Sequence, residues 1–177
     1  MDTTTPSPEP GPSITVQNRA LATADLTAVS ALHARVFGPG RFARTAYRVR
    51  EGTAPVSPFC RGAFAGERLI ASLRLTPVSI GGAGPHLLLG PLAVDPDHSG
   101  LGFGKALVAQ ALAAARQARI GVVVLVGDLP YYERFGFAPV APGHIAFPGP
   151  VNPARILAIE TTPGALGSAH GPVTALR

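Results

Sequence analysis

The sequence predicts an α/β protein built on a mixed central β-sheet, antiparallel in its N-terminal part, parallel in one later pair, and flanked by helices. Three observations predict it. Residues 59–94 hold three apolar runs separated by Gly66-Glu67 and by Gly81-Gly82-Ala83-Gly84, the pattern of antiparallel hairpins. Residues 103–121 carry an apolar stripe at helical spacing between two nearly continuous apolar runs, 86–94 and 122–126. Such a unit is a right-handed β–α–β crossover joining parallel strands. The 177 residues are 46% hydrophobic, enough for one domain with a sizeable core.

The elements follow in chain order. Residues 1–13, rich in Pro, Thr and Ser, are expected to be a disordered tail, with a single domain over 14–177. "ITVQNRA" (14–20) alternates as a strand does. In "TADLTAVSALHARVFG", Leu26, Val29, Leu32, His33 and Val36 fall near helical spacing, Thr23 or Asp25 offers a cap, and Gly38-Pro39-Gly40 a stop. A second helix over 41–50 places Arg41, Arg44 and Arg48 on one face. That face is either solvated or the rim of an anion-attracting site. The strand over 86–94 is apolar enough to be covered on both faces. It contains Gly90-Pro91, and proline does not suit a central ladder, so a bulge is expected there. In the helix from Phe103, Phe103, Leu107, Val108, Ala111, Leu112 and Ala115 form an apolar stripe, with Gly121 suited to the position past its end. "VVVLV" (122–126) is a buried strand. "LPYYERFGF" is a short helix with Pro130 in its first turn and Gly136 at its left-handed end. "FAPVAP" and "ARILAIE" are the remaining strands.

Composition narrows the function. No apolar run spans a bilayer, and the N-terminus lacks the basic and apolar regions of a secretory signal, so a cytoplasmic protein with no membrane partner is expected. Heavy use of Ala, Arg, Gly and Pro with one lysine suits a bacterial chain of high coding GC content. Cys60 is alone, and His33, His98, His144 and His170 have no metal-site spacing. The net charge is +5, but the arginines are scattered, which argues against nucleic acid as partner.

One segment asks for chemistry. In "VDPDHSGLGFGKAL" (94–107), Gly100, Gly102 and Gly104 alternate where a helix begins. The nucleotide P-loop fails, because Ser99 stands at its first glycine and Ala106 at its hydroxyl position. The dinucleotide fingerprint fails at Lys105 or Leu107. Two readings remain: a tight strand-to-helix turn without ligand, or a cradle of free N–H groups for a diphosphate, with Lys105 adding charge.

"LAVDPDHSGLGFGKALVAQAL" followed by "VLVGDLPYYERFGFAPV" resembles the GCN5-related N-acetyltransferase (GNAT) family. The order of strand, V-D-P, glycine loop, helix, strand and "YYERFGF" carries the likeness. It covers roughly 14–165 and is most specific over 87–140. The strand followed by PYY-x-RFGF is similar to a bacterial subgroup, the YhbS-like proteins. The resemblance implies the GNAT fold, its parallel strands splayed at the bulge, and a cytoplasmic acyltransferase (EC 2.3.1.-) using acetyl-CoA and no metal. The acceptor implied is a small-molecule or peptide amine, and a homodimer stays open. The family's diphosphate loop reads (Gln or Arg)-x-x-Gly-x-(Gly or Ala); here it is Ser99-Gly100-Leu101-Gly102-Phe103-Gly104, followed by Lys105. Ser99 and Leu101 replace side chains that commonly assist, so the backbone must do more. Leu92, Ala93 and Val94 are implied to hold the pantetheine arm through their backbone. Tyr132, in "YERFGF", is implied as the general acid for the leaving thiolate, with local packing as its other reading. His86 is the titratable group on the 86–94 strand, as a base or as a structural histidine. Asp128 is a second base candidate or a helix cap. Acceptor specificity is implied to reside in 24–50 and in the loop after Phe137. A non-catalytic acyl-CoA-binding or regulatory module on the same fold is the alternative.

Overall fold

Tight glycine turns set the first half of the sheet. β1 (Val16–Ala20) pairs antiparallel with β2 (Arg61–Ala65), β2 with β3 (Arg68–Ile80), and β3 with β4 (Ala83–Val94). Gly81 and Gly82, between β3 and β4, both have positive φ, 58° and 84°. That is the two-residue turn whose twist matches a hairpin. The computed structural model describes residues 15–40 and 45–177. The tail expected over 1–13, and Arg41 and Arg44, lie outside them.

The crossover is the one expected. α3 (Phe103–Gln117) packs Leu107, Val108, Ala111, Leu112 and Ala115 against β2, β3 and β4, and the chain returns as β5 (Val122–Val126), parallel to β4. The sheet continues antiparallel through β8 (Ile156–Glu160) to β6 (Ala138–Pro139). On β5, Val123 and Leu125 join the core under α3, whereas Val122 and Val124 join a second core with Val49 of α2 (Thr45–Arg50). Burial on both faces is why its sequence does not alternate. α1 (Leu26–Phe37) lies against β3 and β4, its Leu32 packed with Cys60, Phe64 and Ala93.

The bulge is present where proline demanded it. Leu73 pairs with Leu92 but Leu75 pairs with Leu89, so two steps on β3 face three on β4. Gly90 takes φ +112°, a value side chains rarely adopt, and Pro91 sits where no ladder bond is needed. β4 and β5 pair only at Leu87–Val123 and Leu88–Val124. Beyond those pairs the strands separate.

Three details differ from the sequence reading. Arg119, with φ +55°, takes the left-handed position after α3, and Ile120 N–H closes the turn on Ala115 O. Gly121 is needed for another reason: a Cβ there would lie 2.8 Å from the His86 ring. The second helix is described only over Thr45–Arg50; Arg48, of the expected arginine face, is exposed, and Arg50, which the reading did not single out, is buried. β7 (Ile145–Ala146), α5 (Ala165–Ser168) and β9 (Gly171–Ala175) were not anticipated. β9 pairs with β7 and with the end of β3, and a short "GPVTA" carries no strand periodicity.

Candidate functional site

The three glycines of the loop have different tasks. Gly100 and Gly102 take φ +76° and +87°, and nothing lies within 4 Å of where their Cβ atoms would stand. Gly104 has an ordinary φ, but a Cβ there would be 2.9 Å from the Tyr131 hydroxyl and 3.3 Å from Val94. The first two shape the turn and leave space above it. The third lets α3 start close against β4. Gly102 caps α3 with no side-chain bond, and the first N–H taken up inside the helix is that of Ala106, on Gly102 O. Among the described residues, the N–H groups from Gly100 to Lys105 therefore have no backbone partner. Donors converging at the N-terminus of a fifteen-residue helix bind anions. Lys105 and Leu101 are exposed beside them.

The loop is held from below by Asp95, which is 2% exposed. Its carboxylate accepts from Arg68 at 2.7 Å and from Asp97 N–H at 3.0 Å, and Arg35 lies at 3.2 Å. Burial alone would raise its pKa; the Asp97 N–H and the two guanidiniums more than offset this and hold it below the usual carboxylate range. Because the folded pKa is the lower one, Asp95 contributes stability above about pH 4 and loses it as pH falls through the folded value. Both arginines are about half exposed, which reduces the effect of the charges. Asp95→Asn is expected to cost about 2 kcal/mol in urea unfolding at pH 7. The difference from the parent should shrink below about pH 4. A constant difference across that range would refute this role.

α4 (Leu129–Tyr132) brings two tyrosines to the separated strands. Tyr131 reaches back to Gly104 and packs on Phe135. Tyr132 lies against Gly127 at the end of β5, where a Cβ would be 2.8 Å from its ring, and edge-on to Phe137. Burial, then Tyr131 and then Asp128, push the Tyr132 phenol up to about 12. It therefore keeps its proton across the physiological range. Leu92, Ala93 and Val94 pair with β3 on one side only, so their other backbone edge faces the opening between β4 and β5.

The bulge also borders a cleft of about 640 Å³. Its walls are α1, α2, Arg74 of β3, Gly90 and Pro91, Val126 at the end of β5, and residues 150–155. Of these, α1, α2 and residues 150–155 belong to the segments expected to face the acceptor. Arg50 is 7% exposed there; its Nε donates to Thr76 Oγ1 at 3.3 Å, and its Nη2 has no partner. Burial first, and the charge of Arg74 second, lower its pKa to about 9. Arg74 donates to Thr53 Oγ1 and Ala54 O, both at 3.1 Å. His33 lines the same cleft and shares a 3.1 Å hydrogen bond with Ser72 Oγ.

The structure thus places the loop just past the end of β4 and Tyr132 beside Gly127 at the end of β5, and His86 lies away from both ends. His86 is 3% exposed, its Nδ1 accepts from Val122 N–H at 3.1 Å, and it does not line the cleft. Four residues of extended strand, about 13 Å, separate it from Gly90. Its position agrees with a structural histidine and corrects the base reading. Asp128 is also no buried base: its side chain is 76% exposed and pairs with Arg155 at 3.2 Å, without capping α4. Arg50, Arg74 and His33 were missed. Arg74 had a signal, a charge inside the apolar run 69–75. Arg50 had none, since its burial depends on α2 lying over the bulge.

Comparisons with known proteins agree with this geometry. The model of the acetyltransferase (GNAT) family matches residues 26–137. The GNAT family N-acetyltransferase YhbS from Escherichia coli, solved in complex with CoA, aligns with TM-score 0.77 at 25% identity, over 95% of this chain and 93% of that one. A GNAT family acetyltransferase from Brucella melitensis, solved with acetyl-CoA, aligns with TM-score 0.69 at 24% identity, over 93% and 97%. The ribosomal-protein-S18-alanine N-acetyltransferase of Escherichia coli shares the fold, with TM-score 0.60 at 17% identity over 84% and 95%. No curated protein matches the chain. Among the described residues, no helix is long and apolar enough to cross a membrane, and no cluster suits a metal ion.

Proposed function

The chain belongs to the acetyltransferase (GNAT) family, and on that premise we propose that it transfers an acetyl group from acetyl-CoA directly to a primary amine. The observation that carries the reading is the bulge at Gly90-Pro91. The strand edge and the loop of free N–H groups follow on from the separation that starts there, Tyr132 packs beside Gly127 at the end of the facing strand, and a cleft of about 640 Å³ borders the bulge. Acetyl-CoA supplies an activated acetyl thioester. The N–H groups from Gly100 to Lys105 bind the diphosphate, which needs donors and no particular side chain. The open edge of Leu92, Ala93 and Val94 binds the pantetheine arm. In the reaction an N–C bond forms, the C–S bond breaks, the amine gives up a proton and the sulfur gains one. Tyr132 donates to the departing sulfur, and His33 accepts the amine proton.

Two measurements test this. With acetyl-CoA and a panel of primary amines, thiol release above the hydrolysis background is expected for at least one class. CoA binding with no amine-dependent release would leave the non-catalytic acyl-CoA-binding module instead. In the active case, His33→Gln should lower kcat by about 100- to 10,000-fold with CoA affinity within threefold of the parent. An unchanged kcat excludes His33.

A further inference from the structure

A guanidinium left unpaired in a protein interior is expensive, because the charge has lost its water and gained no partner. Arg50 lacks a counter-charge: more than nine-tenths buried, it gives its Nε to the neutral Thr76 hydroxyl, its Nη2 has no partner among the described residues, and a second cation lies beside it. Burial also lowers the pKa of Arg74. A buried Arg normally has a carboxylate, but none lines this cleft among the described residues, and Arg155, also on its wall, is already paired with the exposed Asp128 at 3.2 Å. The Arg50 Nη2 lies 3.7 Å from where a Gly90 Cβ would stand, so the unpaired donor sits at the bulge.

A wall of this kind repels a polyamine or a lysine-rich peptide, since a second ammonium would face arginines with no carboxylate to meet it. It suits a molecule with an anionic group a few bonds from its amine. We propose that the acceptor is a small anionic amine, its carboxylate or phosphoryl group held by Arg50 and Arg74 while its amine points to the bulge. The inference rests on the acetyltransferase reading and names the substrate class of that same cleft. The volume, about 640 Å³, is that of a small-molecule site. Arg is suited to the task because its planar fork meets either anion with two parallel hydrogen bonds.

The test has a binding arm and a turnover arm. In the binding arm, inorganic phosphate and an N-acetylated amino acid are titrated against the full chain at constant ionic strength, read by calorimetry. Both are expected to bind, and Arg50→Gln is expected to weaken the cleft-bound anion by about 10- to 100-fold. Phosphate held by the glycine loop is insensitive to Arg50, so only the Arg50-dependent part counts. Should Arg50→Gln fail to fold, Arg74→Gln gives the same comparison. In the turnover arm, amino acids and amino phosphates are compared with the corresponding amides and neutral amino alcohols. Anionic members are expected to have at least 10-fold higher kcat/KM, and the ratio between carboxylate and phosphate members identifies the anion. Equal rates for anionic and neutral amines, or anion binding indifferent to both arginines, overturns the proposal. Arg50-dependent binding with no acetyl transfer to any amine would instead retire the enzymatic reading while keeping the anion site.

Discussion

Gly102→Glu is expected to raise the dissociation constant for CoA by at least 100-fold while the chain stays folded. Gly102 caps α3 from the left-handed region, at φ +87°. A side chain there costs about 1–2 kcal/mol in backbone strain. Its Cβ meets nothing within 4 Å, so the fold itself raises no clash. The carboxylate instead enters the space above the free N–H groups of Gly100 to Lys105. It can take those donors for itself and repels a diphosphate, and like charges at such closeness cost several kcal/mol. Gly102→Ala separates the two effects. It carries the strain without the charge, and its affinity should fall by about 10-fold or less. Calorimetry with CoA on the parent and both variants decides the matter. Affinity in the Glu variant within threefold of the parent would show that the diphosphate lies elsewhere. The same experiment answers what Ser99 and Leu101 leave open, since neither side chain carries charge here and the backbone is the chief donor.

Much of this frame could be read from the chain because local rules determined it. The hairpin between β3 and β4 follows from glycines, which take positive φ at no steric cost, at Gly81 and Gly82. The bulge follows from a proline in an apolar strand, and the crossover from the α3 stripe between two doubly buried strands. The loop was legible because Gly100 and Gly102 are required by backbone geometry, which sequence records directly. Polar groups in the cleft were not legible. Arg48 and Arg50 are two positions apart in one short helix, yet one is exposed and the other buried, and only the docking of α2 over Gly90 decides which. His86 failed in the opposite direction. A histidine on the central strand suggested chemistry, but strand direction places it at the closed end, where its Nδ1 takes the Val122 N–H. Titratable residue type is a local property; position relative to a splay is a tertiary one.

Tyr132→Phe is expected to lower kcat by about 100- to 10,000-fold, the usual contribution of a positioned acid, with CoA affinity within threefold of the parent. The substitution removes one oxygen. The ring that packs against Gly127 and Phe137 remains, so the opening between β4 and β5 should keep its shape. The manner of donation follows from the phenol's environment. With its pKa pushed up to about 12, chiefly by burial, Tyr132 is a weaker acid than a typical thiol near 8.5. Complete transfer to a free thiolate would run uphill by roughly 5 kcal/mol. Tyr132 therefore serves first as a hydrogen-bond donor to the sulfur as negative charge develops on it, in a site where burial strengthens such a bond, and the proton that the sulfur finally gains is made good from solvent as the thiolate leaves. This has a kinetic consequence. Activity should show no alkaline loss attributable to Tyr132 until well above pH 10, because the group stays protonated until its raised pKa is approached. An unchanged kcat in Tyr132→Phe would sink the assignment outright. A large fall in CoA affinity with kcat preserved would instead make Tyr132 part of the cofactor's binding wall, as its neighbour Tyr131 is placed to be by its contact with Gly104.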